Sequence, residues 1–188
     1  MNINKNYTTQ NELLLNNLMD FYKDEKNLTR MLKIITGESK ISLRIVDWFS
    51  TNYAKKYYTL YQITTGNEVR RFKVYFDYKL KLKAYSKKRF DPFCRWDRIS
   101  IPYKNDTSIE TTIGQLNFFK WAIENRVIEY IEENYDTIEK DMNSRNSTSK
   151  RKETILDNSK TRKKREELSV SATKSIKKEE VEIVVHFN

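Results

Sequence analysis

The sequence predicts an α+β domain, and three observations carry that expectation. Apolar residues recur at helical spacing through the first fifty positions. The period then shortens to two beyond a Thr65-Gly66-Asn67 turn, and helical spacing returns after Thr111. Segregated helical and strand patterns of this kind fit a small antiparallel sheet packed between helical regions better than an alternating βαβ chain.

The first helix is expected from Thr9 to about Lys23, where Leu14, Leu15, Leu18, Met19 and Tyr22 share a face and Thr9 supplies a cap. Leu28, Met31, Leu32 and Ile35 place a second helix over 27–36, closed by Gly37, a residue that adopts the left-handed conformation without a Cβ penalty. Ser42 caps a third, which turns Ile45, Trp48, Phe49 and either Asn52 or Tyr53 inward.

From Arg71 to Ala84 the apolar residues Phe72, Val74, Phe76, Tyr78, Leu80 and Leu82 alternate with Lys73, Tyr75, Asp77, Lys79, Lys81 and Lys83. That pattern predicts a strand with one apolar and one basic face. Fourteen residues is long for a strand, so a break near Tyr78 into a helix through Lys88 is the alternative. Pro92 ends the element, and Arg98–Tyr103 reads as a further strand that Pro102 confines to an edge. Thr111 or Thr112 then caps a helix carrying Ile113, Leu116, Phe118 or Phe119, and Ile123, and another follows over 127–139 on Ile128, Ile131, Tyr135 and Ile138.

The expected organisation is one globular domain over 1–143, a disordered basic linker over 144–180, and a strand-like peptide over 181–188. The linker holds twelve Lys and Arg against six Asp and Glu, no aromatic residue, and Ile155, Leu156, Leu168, Val170 and Ile176 as its large aliphatic residues. Val181–Phe187 alternates again and suits addition to a sheet edge of this chain or of a partner.

Composition narrows the function. A net charge of +10 favours polyanionic partners, although heavy use of Lys, Asn and Ile is also what AT-rich coding produces. One cysteine and one histidine exclude an internal disulfide and leave too few soft ligands for a structural zinc, so no cofactor or metal is expected. No stretch approaches a membrane span and Met1–Gln10 carries no apolar export core, which points to an intracellular protein.

The candidate site is a basic cluster of Lys79, Lys81, Lys83, Lys87, Lys88, Arg89, Arg95 and Arg98, interleaved with Tyr85, Phe90, Phe93 and Trp96. Cations neutralise phosphates and aromatic planes stack on unpaired bases, so the cluster reads as a nucleic-acid platform. The competing reading is a solvated basic face whose aromatics belong to the core. Lys150-Arg151-Lys152 and Arg162-Lys163-Lys164-Arg165 form a second basic set, spaced like a bipartite import signal and equally suited to phosphate contact.

Two further constellations are weaker. The helices over 111–135 have the order of a helix-turn-helix, but Glu124, Glu129, Glu132 and Glu133 make the second one acidic. Glu68, Asp77 and Lys79 loosely imitate a metal-dependent nuclease strand. Cys94 and His186 have no catalytic companions, and three glycines build no phosphate loop, so no enzyme is expected.

Three blocks, Ile41–Lys56 (ISLRIVDWFSTNYAKK), Lys83–Arg95 (KAYSKKRFDPFCR) and Thr112–Asn125 (TIGQLNFFKWAIEN), together resemble an uncharacterised protein family of nucleocytoplasmic large DNA viruses. The family pattern has a second arginine after Arg95, where this chain has Trp96. The resemblance implies a viral setting and supplies neither a fold nor a catalytic residue. The combined expectation is a non-enzymatic nucleic-acid-binding accessory protein, contacting DNA or RNA largely without sequence preference. The alternative is a minor virion scaffold protein that docks through its C-terminal strand.

Overall fold

A computed structural model describes residues 10–66, 68–95, 98–103, 107–156 and 178–180. The fold is a mixture of helix and sheet. Helices α1 (Gln10–Tyr22), α2 (Glu25–Thr36) and α3 (Leu43–Trp48) form the N-terminal part, and α3 continues through a π-helical turn at Phe49–Tyr53 into α4 (Ala54–Lys56). Strands β1 (Leu60–Thr65) and β2 (Glu68–Lys73) make an antiparallel hairpin, followed by α5 (Val74–Arg89). Strands β3 (Arg98–Pro102) and β4 (Thr107–Thr112) make a second antiparallel pair, and α6 (Ile113–Glu124), α7 (Val127–Glu133) and α8 (Tyr135–Leu156) complete the helices. β5 (Lys178–Glu180) pairs with β4, so the second sheet has the order β3-β4-β5 and Pro102 does lie on an edge strand.

The local signals that open and close the helices act as expected. Ser42 Oγ accepts from the Ile45 amide at 3.3 Å, Thr112 Oγ1 accepts from the Gln115 amide at 3.2 Å, and Gly37 ends α2 at φ 80°. Asp24 caps α2 through the Lys26 amide, which starts that helix two residues before Asn27. Each cap satisfies a backbone donor that the helix itself leaves unpaired.

The core centres on α6, whose Leu116, Phe118 and Phe119 are fully buried. Its other elements are pinned to it by polar bonds from buried or half-buried side chains. Tyr22 Oη donates to the Leu116 carbonyl at 2.7 Å, Tyr61 Oη donates to the Asn125 carbonyl at 2.7 Å, and Trp121 Nε1 donates to Asp77 Oδ1 at 2.6 Å. These bonds fix the positions of α1, β1 and α5 in turn, because an unmet partner in such surroundings costs about 1–3 kcal/mol.

Two expectations require correction. Val74–Arg89 is a helix, as in the alternative reading but beginning four residues before Tyr78, and not the second half of a long strand, so Lys79, Lys81 and Lys83 do not share one basic strand face. Val74 and Tyr78 are buried and Leu82 and Tyr85 pack against the core, which is a helical spacing. Leu, Lys and Ala are good helix formers, and burying these four residues decides the period. The helix expected over 127–139 breaks at Asn134 into α7 and α8. α8 carries helical backbone to Leu156. The peptide Val181–Phe187 lies outside the described residues, and the observed strand pairing falls just before it.

Candidate nucleic-acid interface

α5 directs Val74, Tyr78 and Tyr85 toward α6 and leaves Lys79 and Lys83 exposed on the opposite side, four residues and therefore about 6 Å apart along the axis. Lys81 is half-buried. Among the described residues none of these three lysines has an acidic group within ion-pair distance. At Ser86 the helix breaks, with φ 62° and ψ 166°. A serine rarely adopts this backbone, and the break turns Lys87, Lys88 and Arg89 out of the line of the preceding helix.

The segment 87–95 is then clamped onto the start of α6. Gln115 Nε2 donates to the Pro92 carbonyl at 3.0 Å, Asn117 Nδ2 donates to the Arg89 carbonyl at 2.9 Å, and Thr112 Oγ1 donates to the Cys94 carbonyl at 3.4 Å. The Cys94 thiol donates to the Lys88 carbonyl at 3.3 Å, and Asp91 Oδ1 accepts from the Phe93 amide at 2.8 Å. Phe90 is fully buried between Tyr78, Tyr85, Phe118 and Trp121, with ring centroids 5.7–6.2 Å away. The apolar ring and the buried amides together hold a loop whose charged ends face solvent. Lys87, Lys88 and Arg95 are exposed around a cavity of about 480 Å³, lined also by Asp91, Phe93 and Cys94.

Gly114 makes this clamp possible. A Cβ there would stand 3.0 Å from Cys94 Cβ, 3.1 Å from the Lys88 carbonyl and 3.2 Å from the Asp91 carbonyl. Backbone oxygens cannot rotate away as a side-chain end can, so Gly114→Val is expected to push the loop off α6. The expected cost is about 1–3 kcal/mol, typical of overpacking, and a thermal melt of the variant measures it.

One acid beneath the loop escaped sequence reasoning. Asp47 on α3 has its carboxyl pushed up to about 7 from 3.8, first by burial and then by the neighbouring Asp91 carboxylate, with Lys87 opposing. A folded-state value above the unfolded one means that the folded chain holds the extra proton between pH 3.8 and about 7. Stability therefore falls as pH rises through that window and stays reduced above it. Asp47→Asn is expected to remove this dependence and to raise stability at pH 8 by roughly 1–2 kcal/mol, checked by melts at pH 5 and pH 8.

The other sequence candidates are dispersed. Arg98 is paired with Glu110 at 2.8 Å across β3 and β4. Arg89 is half-buried, and Lys87 approaches Asp91 at 3.9 Å. Phe90 belongs to the core, so it is not available for stacking. Trp96 and Arg162, Lys163, Lys164 and Arg165 lie outside the described residues, and Lys150, Arg151 and Lys152 are placed only as backbone of α8.

The nuclease constellation does not assemble as a strand would present it. Asp77 and Lys79 are two positions apart on a helix, and Asp77 is bonded to Trp121. The second helix of the helix-turn-helix order buries Val127, Ile128 and Ile131, while Glu129 and Glu132 pair with Arg30 at 2.6 and 3.4 Å. Among the described residues, no helix is long and apolar enough to cross a membrane and no group of three or more acidic, His or Cys side chains is placed to hold a metal.

Comparison with known proteins matches the chain to a family and to a viral relative. Residues 1–188 match the model described as "Family of unknown function (DUF7197)". An uncharacterised protein, L507, of Acanthamoeba polyphaga mimivirus is 46% identical over 147 residues, covering 76% of this chain. The aligned part is 56% of that relative's length. No solved structure matches the chain. The family match and the mimivirus relative agree with the uncharacterised family of large DNA viruses that the three sequence blocks resemble.

Proposed function

The chain belongs to the family of unknown function DUF7197 and is similar to an uncharacterised mimivirus protein, and we propose from its own surface that it is a nucleic-acid-binding accessory protein of a large DNA virus. It acts without catalysis, in genome packaging or late transcription. The observation that carries this reading is the clamped basic loop continuous with α5. Lys79 and Lys83 stand exposed without acidic partners among the described residues, and Lys87, Lys88 and Arg95 are held outward by a loop fastened at Pro92, Arg89 and Cys94.

Preorganised cations bind phosphates at a lower entropic cost than lysines on a free tail, and they release condensed counterions as they do so. The second basic set over 150–165 adds sequence-independent attraction in this account. Fluorescence anisotropy of the full chain with labelled duplex DNA, single-stranded DNA and RNA across a salt series tests the reading. Affinity should fall linearly in a double-logarithmic plot against salt. A salt-independent affinity, or none at about 50 mM salt, would remove it.

A further inference from the structure

Six of the large apolar side chains that remain exposed on the described surface cluster within a short stretch of chain: Tyr57, Tyr58, Leu60, Val69, Phe76 and Leu80. Tyr58 is 81% exposed, Leu80 65%, Phe76 60% and Leu60 50%. A groove of about 360 Å³ opens among Tyr58, Leu60, Tyr75 and Phe76, and Lys55 and Lys73 form its flanks. The two lysines sit over aromatic rings, Lys55 Nζ at 5.7 Å from the Tyr75 centroid and Lys73 Nζ at 5.9 Å from that of Phe76.

Tyr58 is held there at a cost. The α4 terminus closes with the Thr59 amide bonded to the Ala54 carbonyl, and Tyr58 occupies the left-handed position, φ 49°, that glycine normally fills. A bulky residue in that conformation is strained, and strain of this kind persists where the surrounding structure enforces it. The fold thus fixes an aromatic side chain in solvent. Along α5 the apolar pair Phe76 and Leu80 runs beside the basic pair Lys79 and Lys83, each pair spaced by one helical turn.

We propose that this groove and stripe bind single-stranded nucleic acid, the bases stacking on Tyr58 and Phe76 while Lys55, Lys73, Lys79 and Lys83 follow the phosphates. The inference deepens the nucleic-acid reading above and rests on it. Charge complementarity selects this occupant. Among the described residues no acid lines the groove, so a second copy of the same chain would bring lysine against lysine, whereas a polyanion with exposed planar faces satisfies both rows. Stacking on a protein ring is tolerant of base identity, so the preference is for unpaired strands and not for a sequence.

The test compares the full chain with a Tyr58→Ser/Phe76→Ser double variant, using fluorescein-labelled oligothymidylate and a labelled duplex, with a thermal melt of each protein. Both side chains are exposed, so folding should be retained. The expected result is a loss of roughly 10- to 100-fold in affinity for oligothymidylate, with duplex affinity and the salt slope on duplex unchanged. Unchanged oligothymidylate affinity in a folded variant overturns the groove proposal alone, and leaves the exposed aromatics to a protein partner. An equal loss on both probes overturns it too, since bases already stacked in a duplex offer no free faces to the groove. Failure of the unmodified chain to bind either probe overturns this proposal together with the basic-surface reading.

Discussion

Replacing Lys79, Lys83, Lys87 and Lys88 together by glutamine is expected to lower affinity for duplex DNA on the order of 100-fold or more at about 0.1 M salt. All four side chains are exposed, two on the outward side of α5 and two in the segment that turns away at Ser86. For every phosphate left without its lysine, the slope of log affinity against log salt should also fall by about 0.9, so the slope gives the number of neutralised phosphates independently of the affinity itself. Unfolding does not explain such a result, because none of the four side chains is part of the core and exposed substitutions usually change stability by no more than about 0.5 kcal/mol. An unchanged slope would show that other lysines bind the phosphates.

Phe90→Ala is expected to have the opposite profile, a large loss of stability of about 3–5 kcal/mol. The ring is fully buried and touches the rings of Tyr78, Tyr85, Phe118 and Trp121, which come from both flanking helices. Removing it opens a cavity where the basic loop meets α6, and rigid neighbours on both sides limit how far the site can collapse. The variant's denaturant midpoint should fall with little change in slope. Phe90→Leu should recover part of the loss, since it keeps most of the apolar volume. At temperatures where both proteins are folded, the alanine variant should also bind duplex DNA less tightly, because the loop bearing Lys87, Lys88 and Arg95 loses its anchor.

How much of this is legible before folding depends on where each signal resides. Ser42, Gly37 and Thr112 act on backbone groups within a few residues of themselves, and the helices they delimit are readable for that reason. Val74 to Arg89 reads as a strand because alternating Leu and Lys satisfies a period of two as well as it satisfies a helix with few buried positions. Only Tyr78 and Val74 meeting the core decides between them, and that is tertiary information. β1 and β4 each bury a single apolar residue deeply, Ile63 and Ile109, so neither displays an alternation to read.

The candidate site divides in the same way. The basic residues are visible because charge is a property of the chain, but their geometry is not, since the break at Ser86 and the clamp from Gln115 and Asn117 join positions more than twenty residues apart. Phe90 and Tyr85 group with the cations by proximity in sequence, and burial assigns the first of them to the core. The exposed aromatics Tyr58 and Phe76 carry no distinguishing mark, because an aromatic residue in a periodic stretch ordinarily packs inward.

The most direct test of the account is hydrogen–deuterium exchange of the full chain, free and saturated with duplex DNA at low salt. The account requires slowed exchange across 74–95, with α5 and the clamped loop protected together and the buried helix α7 unaffected. Protection confined to residues beyond Leu156, with none over 74–95, would contradict it and would assign the binding to the C-terminal basic segment alone.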